Sequence, residues 1–360
     1  MRFLSGSRRL AAALVAVLAL ALVAGIAAGA SSETKLPHIG PKALVATTLR
    51  AMSEAPPTSG RFQTSVDLGL PALPEGAGQL EGIMGLLAGT REFRVWSSRD
   101  GVRIAELLEG AERAFIANRS EAWFWDSEKF EAVHLEHMTR EDGSSRGAKG
   151  FSGPMEMNPG RAALADIVRP LFKELDDTDL SVEETKDVAG RDAYTLVIEP
   201  MSQQTLVGRI EVAIDADERV PLSVAVYPKG EGAPAVSAGF SEVSFEPIDP
   251  ALFDFEPPQG AKIKDKPAGK EEGASQWRPE GAGGQESSSG MPSLQSFGAG
   301  WTRVLAVRVE ELPEEARRLL PFSGTLLSGA VAERDGGAWV LFGAVPQSAL
   351  DAAASRLPTP

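Results

Sequence analysis

The sequence of 360 residues lacks cysteine entirely and contains only three histidines, two tyrosines and 6% aromatic residues. Without cysteine there are no disulfides, no thiol chemistry, no cysteine-based metal sites and no acylated lipoprotein N-terminus. An excess of basic residues is also missing, because the net charge is -14. That charge argues against nucleic-acid binding, which leaves a basic footprint, and against tight adsorption to anionic lipid surfaces.

Signatures of catalysis are scarce as well. There is no P-loop, and no G-x-G-x-x-G follows a candidate strand. His134-Leu-Glu-His137 is not H-E-x-x-H, and residues i and i+3 of a strand project to opposite faces. The acidic pairs Asp176-Asp177 and Glu183-Glu184 lie in polar connections. The sequence therefore predicts a protein that is not an enzyme, with no metal site and no cofactor.

Residues 1–30 have the features of an export segment. Arg2, Arg8 and Arg9 form a basic start, Leu10–Ala28 carries no charge, and Ala28-Gly29-Ala30 fits a signal-peptidase site. The apolar run would extend roughly 28 Å as a helix, close to the hydrocarbon thickness of a bilayer. We therefore expect an extracytoplasmic protein of the cell envelope, with a leader that is either a cleaved signal peptide or a retained anchor through residues 10–28.

The remaining chain alternates between helical and extended patterns. Apolar residues at helical spacing predict helices over 41–52 and 161–175, and period-two alternation predicts many short antiparallel strands, with a polar loop over 140–158. Residues 264–296 are rich in Gly, Ser, Glu and Lys, which predicts a flexible linker. The predicted units are therefore 41–263 and a small α+β unit, 297–356. A unit of that size has a modest core, so we expect it to dock on another surface.

The predicted strands carry many apolar side chains on one face. Such a face forms either an ordinary core or the wall of a cavity that holds an apolar ligand without any catalytic group. Burial of an acyl chain gains roughly 0.8 kcal/mol per methylene. The candidate wall residues are Phe62, Val66, Leu68, Phe93, Val95, Ile104, Trp123, Trp125, Leu196, Ile198, Val212, Ile214, Leu222 and Val224.

An ordered set of short motifs resembles the LolA-like proteins and, more closely, exported proteins with an RseB/MucB-like N-terminal domain. The set covers roughly residues 41–263 and comprises Leu68–Pro74, Leu86–Thr90, Phe93–Trp96, Trp123–Trp125, Gly190–Leu196, Ala213–Asp215, Val220–Leu222 and Phe253–Gly260. The tail, with Trp301 and Val340–Val345, resembles the small C-terminal unit of the same proteins.

The resemblance implies an α+β fold: a strongly curved antiparallel sheet, open as a half-barrel, with the two helices over its concave face. It also implies two functions. The first is a carrier that holds a lipid or the acyl chain of a lipoprotein. The alternative is an RseB-like sensor of envelope stress, in which residues 301–356 bind a membrane-anchored regulatory partner of the anti-sigma type.

Overall fold

The computed structural model of the chain describes residues 36–54, 56–70, 89–136, 168, 171–172, 175, 177–266, 294–309, 312, 314–334 and 337–357. The leader, the polar loop over 140–158 and most of the predicted linker lie outside these residues. None of the described helices is long and apolar enough to cross a bilayer.

Twelve strands form one large sheet, in the order β12-β6-β5-β4-β3-β2-β1-β11-β10-β9-β8-β7. The sheet is open, because its edge strands β7 and β12 do not pair with each other. The strands are β1 (Thr58–Val66), β2 (Gly89–Ser97), β3 (Gly101–Leu108), β4 (Ala111–Asn118), β5 (Glu121–Asp126), β6 (Glu131–Glu136), β7 (Thr178–Val188), β8 (Arg191–Pro200), β9 (Val207–Asp215), β10 (Pro221–Pro228), β11 (Val236–Ser244) and β12 (Lys262–Lys266).

A second sheet of five strands lies in the C-terminal part, in the order β13-β14-β17-β16-β15. Its strands are β13 (Leu294–Phe297), β14 (Val304–Val309), β15 (Phe322–Ser323), β16 (Ser328–Arg334) and β17 (Gly337–Gly343). The described helices are α1 (Pro41–Glu54), α2 (Glu314–Leu319) and α3 (Gln347–Ala354), with short 3₁₀ turns at Pro250–Phe253 and Gly300–Thr302. The predicted α+β class, an open large sheet with a second small one, is confirmed.

Strand pairing gives the large sheet two distinct faces, because successive side chains of a strand point to opposite sides. We call the face that carries Phe62 the inner face, and the opposite one the outer face. Phe62 pairs with Phe93 on β2 and Phe240 on β11, so all three are inner residues. The apolar side of α1, including Leu44 and Met52, joins these residues in one buried cluster.

Both faces of the small sheet in the C-terminal unit pack against other elements. One face packs against α3, where Leu341 and Leu350 are fully buried. The other face, with Val307, Val340 and Phe342, belongs to the same apolar cluster as the inner face of the large sheet. The small unit therefore completes its core by docking on the large one, as its size predicts.

Backbone hydrogen bonds fix this docking. The amide of Thr325 donates to the carbonyl of Leu68 (3.1 Å), and that of Leu206 to the carbonyl of Ala344 (2.8 Å). The backbones come so close that a Cβ at Gly324 would lie 2.3 Å from the Leu68 oxygen. Trp301 Nε1 adds a hydrogen bond to Thr178 Oγ1 (3.2 Å). The two units therefore share one buried interface with defined register.

Two details differ from the sequence-based expectation. The large sheet is not wholly antiparallel, since β12 runs parallel to β6. The predicted start of the linker at residue 264 falls within β12, and its end at 296 falls within β13. Of the predicted helix over 161–175, the described Val168 and Phe172 are buried in the main cluster. Edge strands this short and polar carry little alternation, which is why the sequence did not reveal them.

A buried ion pair fastens the turn between β9 and β10. Asp215 is fully buried, and both its oxygens accept hydrogen bonds from the guanidinium of Arg191, one of them Nη2–Oδ1 at 3.0 Å. Oδ1 also accepts from the amides of Asp217 and Glu218. The charge of Asp215 is thus met by four hydrogen bonds, which is the condition under which a buried carboxylate is stable.

Replacing Asp215 with Ala should lower the free energy of unfolding by about 3 kcal/mol, because it leaves the Arg191 charge and two turn amides without their acceptor. Urea unfolding would measure the loss. The control is Asp217→Ala, whose side chain is 87% exposed and lies 3.6 Å from Arg191. Equal losses of unfolding free energy in both variants would show that the buried Asp215–Arg191 pair contributes no more than the exposed Asp217 does.

A second polar cluster lies on the outer face around Glu211, whose carboxylate accepts from Lys186 Nζ (2.6 Å) and Arg209 Nε (3.0 Å). Burial raises the pKa of the Glu211 carboxyl, but the hydrogen bonds and charges of Lys186 and Arg209 outweigh it, so the pKa lies below its usual range. Burial, with the nearby Glu211 charge, raises the pKa of the Tyr227 hydroxyl.

Glu211 should therefore make stability fall on acidification. A carboxyl whose pKa is lowered by folding contributes stability that is fully present above its unfolded pKa of about 4.3 and is lost as the pH falls through the folded pKa. Glu211→Gln should flatten this part of the stability profile, measured by urea unfolding across that range. The exposed Glu199→Gln serves as control, and an unchanged slope in Glu211→Gln would contradict the assignment.

Candidate functional site

Most of the predicted wall residues lie on the inner face but are already covered. Nine of the fourteen are buried in the cluster shared by α1 and the C-terminal unit: Phe62, Val66, Leu68, Val95, Leu196, Ile198, Val212, Ile214 and Val224. Their role as ligand contacts stays a prediction. In the structure their neighbours are the other side chains of that core.

Leu222 does not belong to this wall. The pairing of β10 with β9 shifts between Pro221 and Ser223, which makes Leu222 the extra residue of a β-bulge. Its side chain packs with Ala193 and Ala213 in a separate cluster, and Ala213 is an outer residue because its neighbour Val212 is an inner one. Alternation alone placed Leu222 with Val224, and the bulge reverses that placement.

The prediction that Trp123 and Trp125 line the same wall is wrong. Ile104 pairs with Phe115, and Phe115 with Phe124, so these three are inner residues. The tryptophans flank Phe124 on β5 and therefore point outward. There Phe255 covers them, with ring centroids 5.6 Å from Trp123 and 5.9 Å from Trp125.

A half-buried apolar surface remains on the inner face at the other end of the sheet. We call it the apolar band. It consists of Phe93, Ile104, Phe115, Phe124, Val133 and Leu135 on strands β2 to β6, and four of them, Ile104, Phe115, Phe124 and Val133, are in register across β3 to β6. The rings of Phe115 and Phe124 lie 4.8 Å apart. Only Phe93 and Ile104 of this group contact the main cluster.

A row of ion pairs borders the apolar band on the same face. Arg91 pairs with Glu106 (3.0 Å), Arg113 with Asp126 (3.3 Å), and Lys264 with Glu131 (2.6 Å). Glu106 pairs with Phe93 across β2 and β3, so the row lies directly beside the apolar residues. The site is thus an apolar strip with one charged border, an arrangement suited to an amphipathic ligand.

Sequence reasoning missed Phe115, Phe124, Val133 and Leu135 as site residues. The available signal was alternation within β5, since Phe124 must face away from Trp123 and Trp125. Alternation within a strand says nothing about which side of the sheet is covered, and for that the pairing between strands is needed. The bulky tryptophans were therefore assigned to the wrong face.

In the described part of the chain, no cluster of three or more His, Asp or Glu residues could hold a metal ion. His134 is an outer residue stacked on Trp123 and lies between Glu121 (2.9 Å) and Asp265 (3.2 Å). His137 is outside the described residues. So is Gly143–Gly147, a G-x-S-x-G match within the polar segment predicted as a loop, where the strand and helix of a nucleophile elbow are not expected.

Comparison with known proteins gives similarity only at the level of structure. No family model matches the sequence, and no curated protein does. The MucA/MucB complex of Pseudomonas aeruginosa contains a similar chain, with 14% identity, coverage of 86% of this chain and 96% of that one, and a TM-score of 0.44.

Two shorter solved structures are also similar. A LolA superfamily protein of Nitrosomonas europaea has 9% identity over 61% of this chain and 99% of that one, with a TM-score of 0.23. An uncharacterized conserved protein of Thermus thermophilus has 13% identity over 62% and 98%, with a TM-score of 0.33. Likeness at such identities concerns the fold and carries no information about ligands.

The opposite placement of Phe124 and Trp125 can be tested by stability. Trp125→Ala should lower the free energy of unfolding by about 3 kcal/mol, because it empties a buried site between Phe255 and the sheet. Phe124→Ala, which removes a half-buried ring, should cost clearly less. Urea unfolding of both variants measures the difference, and a larger loss for Phe124→Ala would contradict the assignment of faces.

Proposed function

We propose that this chain is an exported, non-enzymatic binding protein that holds a lipid, or the acyl chain of a lipoprotein, against the apolar band. The observation that carries the proposal is the contrast within one sheet face. The half near β7 to β11 is sealed by α1 and the C-terminal unit, whereas the residues of the band on β2 to β6 stay half-buried.

The dimensions of the band suit an extended hydrocarbon chain. Neighbouring strands lie about 4.8 Å apart, so the five strands β2 to β6 span about 19 Å across the sheet. An acyl chain lying across β3 to β6 would meet the aromatic and branched side chains of Ile104, Phe115, Phe124 and Val133, which are in register. At about 0.8 kcal/mol per methylene buried, a sixteen-carbon chain gains on the order of 12 kcal/mol before ordering costs.

The charged border supports a defined orientation of the ligand. Arg91, Arg113 and Lys264 are paired with acids yet remain partly exposed, with side-chain exposures of 29%, 37% and 45%. A polar headgroup at this border would keep its contact with water and charges while the acyl chain lies on the band. Ligand sites typically combine an apolar wall with a few polar groups in this way.

The prediction of export and the two alternatives, a carrier and a sensor, come from the sequence. The leader predicts that binding takes place outside the cytoplasm, in a secreted or membrane-tethered protein. The regulatory alternative, with a membrane-anchored partner on residues 301–356, stays a prediction, because no contact among the described residues favours it over a carrier.

Native mass spectrometry of the gently purified full chain should show co-purified lipid, or uptake of added fatty-acyl lipid by an empty protein. Val133→Asp and Leu135→Asp place a charge in the apolar band and should reduce the bound fraction at least tenfold, because the carboxylate must be desolvated beneath the ligand.

The matched control is Met201→Asp, which alters an apolar side chain that is 63% exposed and lies away from the band. Thermal unfolding of each variant would show that it is folded, and Leu135→Asp replaces Val133→Asp if the latter is not. A wild-type chain that is empty and stays empty with lipid offered, or equal uptake by all variants, would refute the proposal.

A further inference from the structure

An open cleft of about 430 Å³ lies on the outer face, across strands β11, β1 and β2. It is on the opposite side of the sheet from the apolar band, because Arg61 and Arg94 alternate with the inner residues Phe62 and Phe93. The side chains that line it and matter here are Ser59, Arg61, Arg94, Trp96, Glu242 and Ser244.

Two arginines face each other in this cleft. Arg61 and Arg94 are directly opposite in the β1–β2 pairing, an arrangement in which like charges destabilise a sheet. Arg61 is compensated by Glu92 (2.9 Å) and Glu242 (3.4 Å). The side chain of Arg94 is exposed and makes no ion pair or hydrogen bond with the described part of the chain. Arg94 is therefore an uncompensated cation beside the compensated Arg61, and this position favours an anion locally although the protein as a whole has a net charge of -14.

The surroundings of Arg94 add an apolar platform and hydroxyl groups. Trp96 lies two residues along the same strand face, and the guanidinium of Arg103 sits 5.9 Å from its ring centroid. Ser59 pairs with Trp96 on one side and Ser244 on the other, so two hydroxyls flank the floor of the cleft. The strands approach closely there, since a Cβ at Gly60 would lie 1.9 Å from the Glu242 carbonyl oxygen.

Glu242 shows how an anion can be held in the cleft. Its side chain is 69% exposed and its carboxylate reaches Arg61 from the rim. The Glu242 carboxylate therefore already binds Arg61, as an anionic ligand would. A ligand could displace this carboxylate into solvent at a small cost in free energy, because an exposed ion pair contributes little.

We propose that this cleft binds a small organic anion, a carboxylate or a phosphate ester, with its charge between Arg61 and Arg94 and its apolar part on Trp96. Arginine suits both groups, because its planar fork donates two parallel hydrogen bonds to carboxylate or phosphate oxygens. The site is independent of the lipid function proposed above, since the two surfaces lie on opposite faces of the sheet.

The test uses the purified full chain with inorganic phosphate, phenyl phosphate and benzoate, followed by saturation-transfer NMR and titration at low ionic strength. Phenyl phosphate or benzoate should bind, and comparison of the two shows whether phosphate or carboxylate is preferred. Arg94→Gln should weaken binding at least tenfold, whereas Glu242→Gln should strengthen it several-fold by removing the competing carboxylate. Trp96→Leu should reduce the preference for phenyl phosphate over inorganic phosphate.

The matched control is Arg308→Gln, which removes another exposed strand arginine, on β14 of the small sheet. It should bind the probes like the wild type. The proposal is overturned if none of the probes binds at millimolar concentration, if Arg94→Gln binds like the wild type, or if Glu242→Gln weakens binding. Because Arg94 and Glu242 are exposed, their variants should fold normally, which thermal unfolding would check.

Discussion

The inner face of the large sheet is the constraint on which the rest of the structure depends. A sheet of twelve strands that stays open has one extended apolar face and no second half of a barrel to bury it. The chain covers this face with α1 and with the C-terminal unit, whose own small sheet has a matching apolar side. Each unit thus completes the core of the other, and hydrogen bonds such as Thr325–Leu68 set their register.

Coverage of the inner face is uneven, and the candidate site follows from that. Near β7 to β11 the apolar side chains are fully enclosed, as Leu196 and Val212 show with no exposed surface. Toward β2 to β6 the same face carries Phe115 and Phe124 half-buried beside a row of ion pairs. Phe115, together with Ile104 and Leu135, packs on the buried Val102, Ala117 and Ala122 of the same face and keeps part of its surface accessible.

On the outer face, charged side chains are paired with nearby opposite charges, and aromatic rings are covered by nearby residues. Phe255 covers Trp123 and Trp125, Arg191 neutralises the buried Asp215, and Lys186 and Arg209 stabilise the Glu211 carboxylate. Arg94 departs from this pattern, since the described part of the chain supplies no acid for it. The two candidate sites therefore differ in chemistry as well as in position: one is an apolar strip, and the other is an uncompensated cation beside an aromatic ring.

Several features were determined by the sequence alone: the α+β class, helix α1 and most strands follow from local periodicity and composition, and the small size of the C-terminal unit predicts that it docks on another surface. Only the tertiary structure decided which apolar residues are core and which are accessible. Period-two alternation fixes the relative direction of neighbours such as Phe124 and Trp125, but the face that another layer covers depends on pairing between strands and on bulges such as that at Leu222. The position of the charged border and of the outer cleft likewise arises from cross-strand register, which joins residues far apart in the chain.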